Sequence, residues 1–274
     1  MLKVNLFSHK LNRLYGIVIS WISTISSISL ILFDIPDEYK NNSGIFVCYV
    51  IVLALVYIIV WIYANKKKKA KLTINNTTVF INEGDIFQQN GLKIIPFNEY
   101  FDTIVDDKLI SSNSLNGIYI KNYVQDLKKL DAAIRNDKRL RNLCEVIDEK
   151  RLSGKKWKYP LGSVYKNGKY LLLAFSKFDK DNRAYLDKSD FLECLLNMWN
   201  EIDICYSAYD VYIPLLGTGI TRFQGVNLTE QELLELLLIS LRLSNIKFKS
   251  DISIIIHESK IENINLFKLS DFLE

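Results

Sequence analysis

The stretch with the most chemical content is Val211-Tyr212-Ile213-Pro214-Leu215-Leu216-Gly217-Thr218-Gly219-Ile220-Thr221-Arg222-Phe223, an apolar run that enters a Gly-x-Gly turn. Two such glycines let the backbone approach a ligand closely and turn successive N–H groups toward one point, which suits a diphosphate. Arg222 offers a charge-assisted contact and Phe223 a stacking face. A plain tight turn accounts for the same glycines, so both readings stand at this level. In a second stretch, Thr78-Val79-Phe80-Ile81-Asn82-Glu83-Gly84-Asp85-Ile86-Phe87, a strand pattern ends in Gly-Asp-Ile. A carboxylate there can accept from an exocyclic amine such as that of adenine, or it can cap the next turn. Two shorter signals lie between them: Ile94-Ile95-Pro96-Phe97-Asn98, a strand running into an Asn, and Ser114-Leu115-Asn116-Gly117-Ile118, a glycine-containing loop.

Other chemistries are poorly provided for. With His9 and His257 the only histidines, a histidine-based metal site or a Ser/His/Asp triad is not expected. No acid–base pair has convincing spacing. The four cysteines, Cys48, Cys144, Cys194 and Cys205, lack CxxC spacing and read as free thiols. A net charge of +4, with lysines alternating with acids, gives no basic face for nucleic acid.

The elements that must position these residues follow from periodicity. Strands are expected over 77–82, 92–96, 170–176, 211–215 and 253–257, with a hairpin turn at Lys166-Asn167-Gly168-Lys169. Helices are expected over 123–149, 188–206 and 229–243, the last opening with a Thr229/Glu232 capping box. Alternating strands and helices imply an α/β sheet covered by helices.

The hydrophobic fraction of 49% is high for a soluble protein, and the excess sits in the first 65 residues. Residues 15–33 and 45–64 are uncharged and each long enough to span a bilayer. Lys3, Lys10 and Arg13 precede the first stretch and Lys66, Lys67, Lys68, Lys69 and Lys71 follow the second, while Asp34, Asp37, Glu38 and Lys40 lie between. The positive-inside rule therefore puts both termini in the cytoplasm, as for a multi-pass protein of the cell inner membrane. Ser20, Ser23, Thr24 and Ser27 share one face of the first span. They serve either helix–helix packing or a water-accessible path. The organisation is a cytoplasmic N-terminus (1–14), a transmembrane helical hairpin (15–64), a basic linker (65–71) and a ligand-binding domain (72–274).

In their order along the chain, Gly84-Asp85-Ile86, the strand into Asn98, the Asn116-Gly117-Ile118 loop and Ile213-Pro214-Leu215-Leu216-Gly217-Thr218-Gly219-Ile220 resemble a macro domain. The fold class expected is therefore a macro-domain-like mixed sheet flanked by helices, preceded by the two-helix hairpin. The resemblance implies Asp85 on the adenine amine, Ile86 beside the base and Asn98 on the distal ribose. It implies Asn116, Gly117 and Ile118 in a first phosphate loop. Leu216, Gly217, Thr218, Gly219, Ile220, Thr221 and Arg222 form the second, with Phe223 near a ribose or the base. The usual paired asparagines read Ile95 and Asn98, and the usual run of three glycines reads Ser112-Asn113-Ser114-Leu115-Asn116-Gly117. Those departures favour binding over hydrolysis, so no catalytic residue and no metal are expected. Arg183, Tyr185 and the segment before them are candidates for the distal end.

With the helix pair added, the chain resembles the membrane-bound effectors of the Thoeris antiphage system in their macro-domain form. That resemblance implies a signalling ADP-ribose derivative, histidine–ADP-ribose in the known branch, made from NAD by a partner TIR-domain enzyme. It implies no other cofactor, homo-oligomerisation on activation and membrane disruption. A membrane-tethered ADP-ribosyl hydrolase and a structural membrane protein with mere glycine turns are the other two readings.

Overall fold

A computed structural model describes residues 3–33, 43–144, 146–225 and 227–269. The described residues divide into two compact units, those of 3–68 with 265–269 and those of 69–264.

In the first unit, α1 (His9–Leu32) starts at Ser8, whose side chain accepts from the Leu11 amide. α2 (Ser43–Asn65) carries no charged residue. Both are long and apolar enough to cross a membrane, and almost none of their apolar length is buried by protein. Ile31 is 83% exposed and Phe46 70%, part of an apolar surface that runs along both helices. The Ser20 and Thr24 hydroxyls donate to carbonyls four residues back, Gly16 and Ser20. Their own helix thus satisfies them, and this geometry chooses neither packing nor a water path. The C-terminal end of α2 is tied by a collar. The Asn65 side-chain oxygen accepts the Lys3 and Val4 amides, the Trp61 indole donates to the Val4 carbonyl, and the Asn265 amide donates to the Lys3 carbonyl. Val4, Leu11, Val60, Ala64 and Phe267 bury their side chains together there.

In the second unit, a nine-stranded sheet is built from β1 (Lys69–Ile74), β2 (Thr77–Glu83), β3 (Leu92–Asn98), β6 (Val164–Asn167), β7 (Tyr170–Phe178), β8 (Ala184–Leu186), β9 (Val211–Pro214), β10 (Arg222–Phe223) and β11 (Ile252–Ile256). Its order is β1-β2-β11-β9-β3-β7-β8-β10, with β6 hairpinned onto β7. The five central strands β2, β11, β9, β3 and β7 run parallel, so their carboxyl ends gather at one edge. β4 (Val146–Ile147) and β5 (Trp157–Lys158) form a separate small hairpin.

Helices cover both faces, as the near-continuous apolar strands require. On one, α6 (Lys188–Cys205) buries Phe191, Cys194, Leu195, Met198 and Trp199, and the Trp199 indole donates to the Ser240 hydroxyl of α7 (Glu230–Ser244). On the other, α3 (Leu115–Tyr123), α4 (Leu127–Asn136) and α5 (Lys138–Leu143) pack on Ile95, Phe97, Leu172 and Ala174. α8 (Glu258–Ile261) follows β11.

Three expectations are corrected. The single helix over 123–149 is three elements, because the Asp126 and Asp137 side chains take the Lys129 and Leu140 amides and start new helices. The basic stretch 65–71 is not all linker: Lys69 opens β1, whose alternation puts Lys69 and Lys71 out and Ala70, Leu72 and Ile74 in. The ligand-binding domain does not run on through the last turn of chain, since residues 265–269 fall in the helical unit, held by the collar.

Candidate ligand-binding site

The carboxyl ends of the five parallel strands open into a cavity of about 400 Å³. This is where an open α/β sheet places a ligand, because backbone groups beyond the strand ends have no ladder partner. Asp85 and Ile86 follow β2, Asn98 ends β3, Ser176 and Phe178 end β7, Gly217 to Thr221 follow β9, and His257 follows β11.

The glycine turn is fixed from within. Gly217 sits at φ +85°, and a Cβ there would come within 3.0 Å of the Phe223 ring and 3.1 Å of Leu233. The Thr218 hydroxyl donates to the Leu215 carbonyl at 2.9 Å, and the Leu215 amide is held by the Ile255 carbonyl. Gly219, by contrast, has open space where a side chain would be. The turn therefore presents bare backbone on one side and leans on protein on the other. The opposite wall is the first turn of α3, where Ser114, Leu115 and Asn116 line the cavity. A helix start directs N–H dipoles outward and favours an anion.

The structure distributes the residues singled out from sequence as follows. Asp85, Ile86, Asn98, Asn116, Leu216, Gly217, Thr218, Gly219, Ile220 and Thr221 all line the cavity. Gly117 and Ile118 do not: Gly117 lies inside the first turn of α3, its amide taken by Ser114 and Asn116, with the Ser111 carbonyl so close that a Cβ would meet it at 2.1 Å. Arg222 and Phe223 form β10 and line a second cavity of about 470 Å³ behind the turn, with Asn227 and Glu230. Phe223 stands edge-on to Phe191 with centroids 5.4 Å apart, so its ring supports Gly217 from behind. At the distal end, Ala184 lines the cavity in place of Arg183 and Tyr185.

Asp85 is exposed, and one of its oxygens takes the Phe87 amide at 2.9 Å, so the capping reading and the purine reading are compatible. Asn98 is more committed. Its side-chain oxygen accepts the Tyr100 and Asp102 amides, and its amide donates to Asp102 at 2.8 Å. Behind it lies a buried polar cluster. Arg151 meets Asp102 at 2.7 Å with both side chains buried, stacks over Tyr100 at 3.8 Å and donates to Asn182. Beside it Glu99 is held above the usual carboxylate range by burial, against the pull of Lys158. Burial also pushes the Tyr100 hydroxyl up to about 12. The carboxylates of this cluster are engaged in fixing the loop 98–103, of which Asn98 lines the cavity.

Ser176, Phe178, Ser259 and Lys260 also line the cavity and were not singled out from sequence. What would have exposed them is topology, since each lies at or just beyond a strand's carboxyl end. Among the described residues no cluster of His, Cys, Asp and Glu could hold a metal ion, and the four cysteines form no disulfide.

A mixed sheet with helices on both faces and a strand-end cavity walled by a Gly-x-Gly turn and a helix start defines a macro domain. The family described as "Thoeris protein ThsA, Macro domain" matches residues 79–257. The Thoeris protein ThsA of Bacillus amyloliquefaciens (strain Y2) is 41% identical over 227 residues, covering 80% of this chain and 76% of that one. The chain belongs to the ThsA macro-domain family. Among solved structures, the Oceanobacillus iheyensis macrodomain with ADP is 16% identical with a TM-score of 0.48, covering 75% of this chain and 96% of that chain. The same macrodomain with MES bound gives the same identity and TM-score, covering 75% and 97%.

Proposed function

We propose that the chain is a membrane-anchored Thoeris effector whose macro domain is a receptor for an ADP-ribose derivative. The observation that carries this reading is the cavity itself: an exposed carboxylate at Asp85, bare backbone at Gly217–Gly219 and a helix start at Ser114 line one open cleft. In this reading the amides of the glycine turn and of the α3 first turn hold the diphosphate, and Asp85 and Ile86 hold the purine. Few charged side chains are needed, because oriented main-chain dipoles in a sheltered site do the work of cations. The ligand is the NAD-derived product of a TIR-domain enzyme, probed first with ADP-ribose and then with histidine–ADP-ribose. No other cofactor is required.

α1 and α2 cross the cell inner membrane with both termini in the cytoplasm, supported by their unburied apolar length and by the lysines that flank them. Ligand binding drives homo-oligomerisation, which repacks the helices and disrupts the membrane. The ligand must favour the assembled state by about 5.5 kcal/mol for a nearly complete switch. The protein acts as a receptor and not as an enzyme, in keeping with the carboxylates near the distal wall being tied up in Asn98, Asp102 and Arg151 contacts.

Titration of the detergent-solubilised full chain with ADP-ribose compounds tests this. Stoichiometric binding without turnover is expected, with about 2.7 kcal/mol of stabilisation at 100 times the dissociation constant. Release of free ADP-ribose from an ADP-ribosylated substrate would instead support the tethered hydrolase. No stabilisation by any of the compounds would sink the receptor reading.

A further inference from the structure

Among the described residues lining the cavity, the ionisable ones are Asp85, His257 and Lys260, and only Lys260 carries a permanent positive charge. Its ammonium pairs with Glu230 at 3.1 Å. Glu230 sits in the first turn of α7 and lines the second cavity, which shares Gly217, Thr218 and Thr221 with the first. Burial raises the Glu230 pKa, but backbone and Lys260 hydrogen bonds outweigh it and hold the carboxyl below its usual range. A diphosphate entering the main cavity brings more negative charge to Lys260 than one carboxylate does, and charge-assisted bonds to phosphate are the stronger kind.

The chain beyond Lys260 has little slack. The amides of Lys260 and Ile261 bond the His257 carbonyl, Asn263 bonds back to Lys260 and Ile264 to Ile261. Ile261 and Ile264 are fully buried. The next residue, Asn265, already belongs to the helical unit, where its side chain donates to the Lys3 carbonyl and Phe267 joins Val4, Leu11, Val60 and Ala64. Hydrogen-bonded turns over 257–264 therefore lead from a cavity-lining cation to Asn265, the first residue of the collar segment, through one peptide bond.

We propose that Lys260 is the cationic partner of the anionic ligand and that residues 257–267 form a covalent relay, carrying a shift at Lys260 to the collar around Lys3, Val4 and Asn65. The relay rests on the receptor reading above and states how that receptor acts on the helices. Binding draws Lys260 from Glu230 toward the diphosphate, the short turns move with it, and the Asn265–Lys3 bond passes the movement to the N-terminal segment. Coupling of this kind requires that both ends bias one element, and the 257–267 segment is that element.

Hydrogen exchange on the full chain in detergent, with and without ADP-ribose, tests both levels at once. In the unaltered chain, slowed exchange over 214–221 is expected together with changed exchange of the Lys3 and Val4 amides. Lys260→Ala should weaken ADP-ribose binding by on the order of tenfold, about 1.4 kcal/mol, and abolish the collar response even at saturation. Inserting two glycines after Ile264 should leave 214–221 protected and silence the collar. Protection over 214–221 with an unmoved collar in the unaltered chain, or a collar that still responds in the insertion variant, would overturn the relay. Binding by Lys260→Ala at undiminished affinity would overturn the role of the cation. No protection over 214–221 in the unaltered chain removes the receptor reading, and the relay with it.

Discussion

Gly217 shows how narrowly a backbone turn can be specified. At φ +85° an L side chain costs about 1–2 kcal/mol before any contact is counted. A Cβ there must also push back the Phe223 ring, which is itself edge-on against Phe191. Gly217→Ala should therefore lower the melting temperature and weaken ADP-ribose binding together. Gly219→Ala, with open space at its Cβ position, should weaken binding with little loss of stability. Calorimetry on the two variants separates them. Asp102 and Arg151 make a different demand. Arg151→Met strands a carboxylate that is 1% exposed, and removing one partner of a buried pair costs about 3–5 kcal/mol. Urea unfolding should show that loss, and Asp102→Asn a comparable one, since its NH2 would face the donors of Asn98, Arg151 or Lys155 and the buried Arg151 charge loses its partner. Glu99 gives the pH dependence. Its folded pKa is raised by burial, so the folded chain holds that proton more tightly than the unfolded chain does. Its contribution is thus undiminished below the ordinary value of 4.5, falls as pH rises toward the raised folded value and stays lost above it. Glu99→Gln should raise the melting temperature at about pH 8, where the penalty is present, and give no such gain near about pH 3.5. A gain of equal size at both would show that ionisation of Glu99 is not the cause.

The elements were legible where the chain's period was uninterrupted. The strands that line the site, β2, β3, β7, β9 and β11, follow from β-branched and aromatic runs ending in Gly, Asn, Ser or His. α6 and α7 follow from their apolar stripes, and α7 has the expected capping box. The stretch after α3 was misleading because Leu127, Leu130, Ile134 and Leu140 keep helical spacing across a break that the caps impose. Asp137→Ala should cost about 1 kcal/mol through loss of the Leu140 amide bond, and urea unfolding can resolve a change of that size. The polylysine run hid β1, since an outward lysine at every second position reads as a charge run until its buried partners are counted. The site was legible in the two motifs whose residues are adjacent in sequence. Ser176, Ser259 and Lys260 were not, because what brings them to the cavity is strand order, and a parallel sheet joins neighbours that lie far apart along the chain. Gly117 carried a real signal with another cause: its missing Cβ makes room for the Ser111 carbonyl.

At the scale of the whole molecule, the chain combines a strand-end cavity with two helices whose apolar length is almost wholly unburied. If a bilayer is what covers those residues, a charge at mid-helix opposes insertion by about 2.5–3.5 kcal/mol on a translocon scale. Ile22→Arg or Ile58→Arg should therefore move the chain from the alkali-resistant membrane pellet toward the soluble fraction. On the receptor reading proposed above, ADP-ribose should still bind in that fraction, because the cavity is walled entirely by residues 84–260. Unchanged pelleting of both variants would speak against bilayer insertion.

β1 closes one end of the sheet, and its outward Lys69 and Lys71 stand on a strand with a free hydrogen-bonding side. Positive charge on a terminal strand repels the like-charged strand of another copy, so open-ended fibre growth by strand addition is discouraged there. A second copy approaching this edge would therefore meet it through side chains rather than through a shared ladder.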